Sequence, residues 1–233
     1  MARTEDIQVP LRDGATMGAH VAYPDKTPAG AIIAIMEIWG VNDTMREHAQ
    51  EFAEAGWITL VPDLFWRLEP GVELSDGNRD HWAKAIDLYY DFDYELGVQD
   101  MEDTASYLRS IEGGNGKVGT VGYCLGGKMG YLMCCRSDID CAVAYYGTQI
   151  HEYLDEGKNV SCPIIFHMGE HDDTFSVEDR NKIHGALIGK ENVSIHMYDA
   201  GHAFCNSDRP DAHNLEAAEA AHERSFKLFD TLQ

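Results

Sequence analysis

Gly122-Tyr123-Cys124-Leu125-Gly126-Gly127 follows the mostly apolar run 118–121 and precedes a stretch of helical character at 128–135. A strand, a glycine-flanked nucleophile and a helix together form the layout of a nucleophile elbow. In such a turn the central residue is held in strained backbone geometry with its side chain at the top of a sheet, so the positions two before and two after it must lack bulk. Those positions are Gly122 and Gly126. Cysteine in place of the more familiar serine changes how the attacking atom is activated but not where it sits. Cys124 is therefore the candidate nucleophile. On its own the turn is equally compatible with a buried structural cysteine, so the rest of the chain has to decide.

Outward from this turn, the pattern is that of alternating strands and helices. Residues 31–36, Ala-Ile-Ile-Ala-Ile-Met, form an apolar run without alternation, as expected of a strand buried on both faces of a parallel sheet. Strands are also predicted at 57–61, 141–146, 163–168 and 193–198. Residues 7–11 and 17–23 read as an antiparallel hairpin at a sheet edge, turned by the Asp13-Gly14 step. Helices are predicted from a capping box at Thr44-Met45-Arg46-Glu47 to Gly56, over 80–96, 100–111 and 177–188, and over 214–232. The expected fold is α/β: a mostly parallel sheet of about eight strands with helices on both faces, in one domain spanning 1–233.

Two later strand ends supply partners for a thiol. Residues 163–168 run into Gly169-Glu170-His171-Asp172-Asp173, and 194–198 run into Asp199-Ala200-Gly201-His202. Nucleophile, acid and histidine in that order, each after a strand, is the order used by the α/β-hydrolase fold. In a parallel sheet these strand ends share one edge. The adjacency of Asp172 and Asp173 leaves open which of them orients His202. His167 and His171, four apart, raise a metal-site reading, but one falls inside a strand and the other beyond it, so no metal is expected.

Composition narrows the function classes. The chain has 40 acidic and 18 basic residues, a net charge of −22, which repels phosphate backbones and anionic lipid. Neither nucleic acid nor membrane is an expected partner. No stretch approaches the length of a membrane span. Six cysteines lie without metal-ligand spacing, and with no secretory signal at the start the cytoplasm is the expected compartment.

Taken with Met36-Glu37-Ile38-Trp39-Gly40-Val41-Asn42, Val61-Pro62-Asp63-Leu64, Ala144-Tyr145-Tyr146-Gly147, Phe166-His167-Met168-Gly169 and Gly201-His202-Ala203-Phe204, the elbow resembles that of the dienelactone hydrolases, α/β-hydrolases with a Cys-His-Asp triad. The resemblance covers nearly the whole chain. It implies Asp172, three residues after Gly169, as the triad acid. It implies Glu37 as a carboxylate that contacts the resting thiol and helps form the thiolate, and the backbone N–H groups of Ile38 and Leu125 as the oxyanion hole. No organic cofactor is implied. The family holds a substrate carboxylate with two arginines, whose positions fall here near Trp82 and on Asn206. Arg79 and Arg209, each three residues away, are the candidate replacements, with Arg67 a further one. Phe65, Trp66, Trp82 and Tyr89 are candidate pocket walls.

The activity expected is hydrolysis of a small-molecule ester or lactone through an acyl-enzyme on Cys124, by a monomer or small homo-oligomer. An acyltransferase in which an alcohol or thiol intercepts the acyl-enzyme is the second reading. A non-catalytic binding or redox-sensing protein using Cys124 as a reactive thiol is the third, disfavoured because such a protein has no need of Cys124, Asp172, His202 and Glu37 together.

Overall fold

A computed structural model describes residues 2–174 and 176–233. Its centre is an eight-stranded sheet in the order β1-β2-β4-β3-β5-β6-β7-β8. The hairpin of β1 (Arg3–Pro10) and β2 (Thr16–Tyr23) forms one edge, antiparallel to its neighbour β4 (Ile58–Pro62). From β4 onward every pairing is parallel, through β3 (Ala29–Ile35), β5 (Gly114–Tyr123), β6 (Cys141–Tyr145), β7 (Ile164–Gly169) and β8 (Val193–Tyr198). All seven residues of β3 are buried, as are all five of β6. Central strands with no exposed face need helices on both sides, which is why their sequence lacks alternation.

The helices are α1 (Asp43–Ala55), α2 (Arg79–Asp91), α3 (Tyr94–Arg109), α4 (Leu125–Arg136), α5 (Val177–Leu187) and α6 (Leu215–Phe229). Phe52 of α1 meets Phe226 and Phe229 of α6 edge to face, at 5.4 and 5.8 Å between ring centroids. Helix α4 is buried from Leu125 through Cys135, which accounts for its apolar character all round.

Three local features differ from the sequence reading. Helix α1 starts two residues earlier than the capping-box spacing suggests: Asn42 is the cap, its side chain accepting from Met45 N at 3.1 Å. Thr44 already lies within the first turn, and its hydroxyl donates to Asp208 at 2.6 Å. The stretch read as one helix over 80–96 is broken, because Asp93 caps a new helix by accepting from the N–H groups of Glu95 and Leu96. Phe92 at the break is extended, and its ring takes the space that a Cβ on Gly97 would need. Between β6 and β7, where a helical stretch without stated bounds was expected, the chain forms a 3₁₀ segment, Ile150–Asn159.

Because β3, β5, β7 and β8 run parallel, their C-terminal ends open on one edge of the sheet. Gly122, next to last in β5, and Gly126, second in α4, are in near contact: a Cβ on Gly122 would stand 1.9 Å from the carbonyl oxygen of Gly126. Gly122→Ala should therefore destabilise the protein by about 3 kcal/mol, the upper range for overpacking. Gly185→Ala in exposed α5, where a new Cβ meets nothing within 4 Å, should stabilise it by about 0.5–1 kcal/mol. Urea unfolding of both variants checks the two signs.

Candidate active site

Cys124 occupies the turn between β5 and α4 with φ 55° and ψ −111°, a conformation that disfavours any residue with a Cβ. Backbone bonds hold it there. Its N–H donates to Tyr145 O at 3.1 Å, and its carbonyl accepts from Gly127 N at 3.0 Å and Thr148 N at 3.2 Å. Gly126 N donates to Met36 O at 3.1 Å, pinning the start of α4 to the end of β3. Among the described residues the N–H groups of Leu125 and Ile38 donate to no protein acceptor. Both flank the thiol, and two free N–H groups there are what an oxyanion needs.

The loops after β7 and β8 bring the other two groups together. Asp172 Oδ2 lies 2.8 Å from His202 Nδ1, and its Oδ1 accepts from Thr174 N and Thr174 Oγ1 at 3.0 and 2.6 Å. Asp173 is exposed on the cavity rim and makes no such bond. His202 and Cys124 line the same cavity, close enough for the charge of one to act on the other. Burial opposes a charged His202, but the Cys124 charge and the bond to Asp172 outweigh it, pushing the imidazole up to about 10. Burial likewise opposes a charged Asp172, and the bonds from His202 and Thr174 overcome it, holding the carboxyl below its ordinary value.

Glu37 is buried at the end of β3 and lines the same cavity. It does not touch the thiol, contrary to the expectation from resemblance. Its Oε2 accepts from Asn206 Nδ2 at 3.0 Å, and Oε1 has no hydrogen-bond partner among the described residues. Asn206 is itself fixed, its Oδ1 accepting from Asp208 N at 3.0 Å.

The cavity has a volume of about 630 Å³. Trp82 stands in its wall edge to face with Trp39 at 4.8 Å, and Tyr89 stands opposite, its hydroxyl bonded to Gln149 Oε1 at 2.7 Å. Phe65 and Trp66 do not line it. Phe65 is core against Phe92, and Trp66 donates to Asp100. Of the candidate arginines only Arg209 lines the cavity, ion-paired to Asp76 at 2.9 Å without hydrogen-bond alignment at Nε, and lying over the Trp82 ring. Arg79 is exposed at the outer end of α2 and Arg67 is bound to Asp100 and Asp13, so neither reaches it. Gln149 and Thr148 were missed, and no sequence signal marks them. Thr148 N reaches Cys124 O only because β6 lies beside β5. His167 is a core residue between Tyr198 and Ser225, whereas His171 pairs with Asp199 at the surface.

Comparison with known proteins gives the family and the fold. Residues 17–233 match the family described as the dienelactone hydrolase family. A carboxymethylenebutenolidase of Pseudomonas putida is 36% identical over 231 residues, covering 99% of this chain and 98% of that protein. A carboxymethylenebutenolidase of Pseudomonas sp. strain P51 is 32% identical over 230 residues, covering 99% and 96%. The fold of a Klebsiella pneumoniae protein provisionally classed as a dienelactone hydrolase superposes with TM-score 0.88 at 22% identity, covering 99% of both chains.

His202 should titrate by NMR with a midpoint near 10, and Cys124→Ala should bring the midpoint down because burial then acts with less opposition. A histidine whose folded value lies above its unfolded value of about 6.5 stabilises the fold fully below that value. That contribution should fade as pH rises through about 10, measurable as a wild-type unfolding midpoint converging on that of Cys124→Ala.

Proposed function

The chain belongs to the dienelactone hydrolase family and is an ester or lactone hydrolase; we propose that it works through Cys124 as nucleophile, His202 as proton carrier and Asp172 as orienter. One observation carries this reading: a single imidazole spans a buried carboxylate on one side and the strained cysteine on the other.

The mechanism follows from the charges. The thiol proton passes to His202, and the imidazolium is stabilised by Asp172. The thiolate attacks the substrate carbonyl, and the charge developing on its oxygen is met by the N–H groups of Ile38 and Leu125. His202 then gives its proton to the departing alkoxide. The neutral ring takes a proton from water, which attacks the thioester, and the acid product leaves as Cys124 and His202 return to their resting state. Glu37 is a second acceptor for the thiol proton, reached by letting go of Asn206. Diversion of the acyl group to an alcohol or thiol differs only in the final acceptor, so product analysis with added acceptors separates transfer from hydrolysis.

The preferred substrates are uncharged. Neither Trp82 nor Asn206 offers a guanidinium, and Arg209 is already paired with Asp76. The carboxylates of Glu37, Asp173 and Asp211 line the cavity. One charge-assisted hydrogen bond is worth about 1.5–3 kcal/mol, or about 10- to 150-fold.

Cys124→Ala should abolish ester hydrolysis while remaining folded, and full activity in that variant would exclude the mechanism. Asp172→Asn should cost about 10³-fold or more in kcat, whereas Asp173→Asn should stay within about threefold, since only the orienter fixes the tautomer. On ester pairs matched except for a terminal carboxylate, kcat/KM should favour the uncharged member by about tenfold or more. A preference for the anion that vanishes in Arg209→Ala would assign Arg209 to substrate after all.

A further inference from the structure

Lys128, one turn into α4 beyond the nucleophile, has no exposed surface. Lysine is rarely buried without a counter-ion, yet among the described residues no carboxylate lies within ion-pair distance of it. Its ammonium sits 3.5 Å above the Tyr94 ring, with Tyr89 and Tyr153 farther off at 5.5 and 5.9 Å. Its one hydrogen-bond acceptor is Gln149 Oε1, at 2.7 Å. Burial lowers the lysine to about 8, against the opposing pull of Glu152 and Cys124, so the ammonium form prevails at neutral pH.

That contact fixes the orientation of a side chain in the cavity wall. An ammonium has three donors and no acceptor, so the carboxamide atom facing it must be oxygen. The Tyr89 hydroxyl donates to the same oxygen. Gln149 lines the cavity with Cys124 and His202, and its Nε2 donates to no protein acceptor among the described residues. Its backbone is held left-handed at φ 54°, a conformation that a residue with a Cβ adopts only when its surroundings enforce it.

We infer that Gln149 is a specificity residue whose amide N–H₂ binds an uncharged oxygen acceptor of the substrate, a second carbonyl or ester oxygen away from the scissile bond, and that Lys128 is a positioning residue that locks the amide in the donating orientation. This rests on the proposed hydrolytic reading and adds a substrate class to it: esters or lactones carrying a further carbonyl. The carboxylates of Glu37, Asp173 and Asp211 on the same cavity favour a neutral acceptor over an anionic one.

The test compares 4-nitrophenyl hexanoate with its 4-oxo and 5-oxo analogues, together with hexanoate esters of an alcohol with and without a ketone. At least one keto ester should exceed its parent by about tenfold or more in kcat/KM, and Gln149→Glu, which replaces the donor by an acceptor of equal size, should erase that ratio. Lys128→Met should reduce the ratio. A merely structural role for either residue would lower both members of a pair together and leave the ratio standing. Independently of turnover, the Gln149 side-chain amide resonance of the Cys124→Ala protein should shift with ethyl 4-oxopentanoate and not with ethyl pentanoate. Hydrolysis with no keto preference, or a preference that survives Gln149→Glu, overturns the assignment while leaving the hydrolase reading intact. If no ester is hydrolysed at all, the amide titration alone decides: a selective shift upholds the assignment and its absence overturns it.

Discussion

The contact between the backbones of Gly122 and Gly126 is the constraint on which the site depends. With φ 55° at Cys124, the chain turns from β5 into α4 within one residue, at a conformational cost of order 1–3 kcal/mol. Three elements hold that strain in place. Strand β6 accepts the Cys124 N–H, α4 and the loop after β6 donate to its carbonyl, and β3 accepts the Gly126 N–H. The last bond does two jobs. It anchors the helix and brings the free N–H of Leu125 to the strand end that carries Ile38. The proposed oxyanion donors are therefore a consequence of the tight turn, and their side chains are unconstrained by that role.

Asp172, His202 and Cys124 stand in sequence, so that in the proposed mechanism charge alternates along the site as the proton moves from the thiol to the imidazole. In a partly buried setting each charge lowers the energy of the next, and the middle one is stabilised twice. The rest of the molecule opposes anions. A net charge of −22 repels anionic ligands on approach, screened beyond about 8 Å at physiological ionic strength, and the acidic groups on the cavity take over at closer range. The buried Lys128 is the exception, and its charge is delivered to the cavity through the Gln149 carboxamide.

Features that depend on local chemistry were legible in the sequence. The unalternating run of β3, the Asp13-Gly14 turn and the spacing of Gly122 and Gly126 about Cys124 each state a physical requirement that few other residues satisfy. Choices between neighbours were less legible. Thr44 and Asn42 are both good caps, and the structure uses Asn42 because the Thr44 hydroxyl is taken by Asp208, 164 residues away. The cap at Asp93 was visible in principle, but the aromatic run around it imitated a continuous helix. Arg79, Arg67 and Arg209 are equivalent as charges near the right place, yet only Arg209 faces the cavity. Long-range partners make that choice: Asp100 and Asp13 hold Arg67, and the start of α2 leaves Arg79 outside. Gln149 carries no motif at all, since its role is created by a lysine 21 residues earlier.

Asn206 alters how Glu37 behaves. A neutral amide holds the Glu37 carboxylate through one hydrogen bond to Oε2, while Oε1 has no hydrogen-bond partner among the described residues. A hydrogen bond to a charged group contributes about 1.5–3 kcal/mol, and a buried polar atom without a partner costs about 1–3 kcal/mol. The two are of similar size, so the position on Asn206 is only weakly preferred over one in which the carboxylate turns towards the thiol. A guanidinium at 206 would bind both oxygens and cancel the charge, making the first position much the deeper. With asparagine there, Glu37 has no cationic partner at 206 and a shallow resting well. Its movement towards Cys124 therefore does not require a substrate that brings a carboxylate to displace it, in keeping with a cavity suited to uncharged esters.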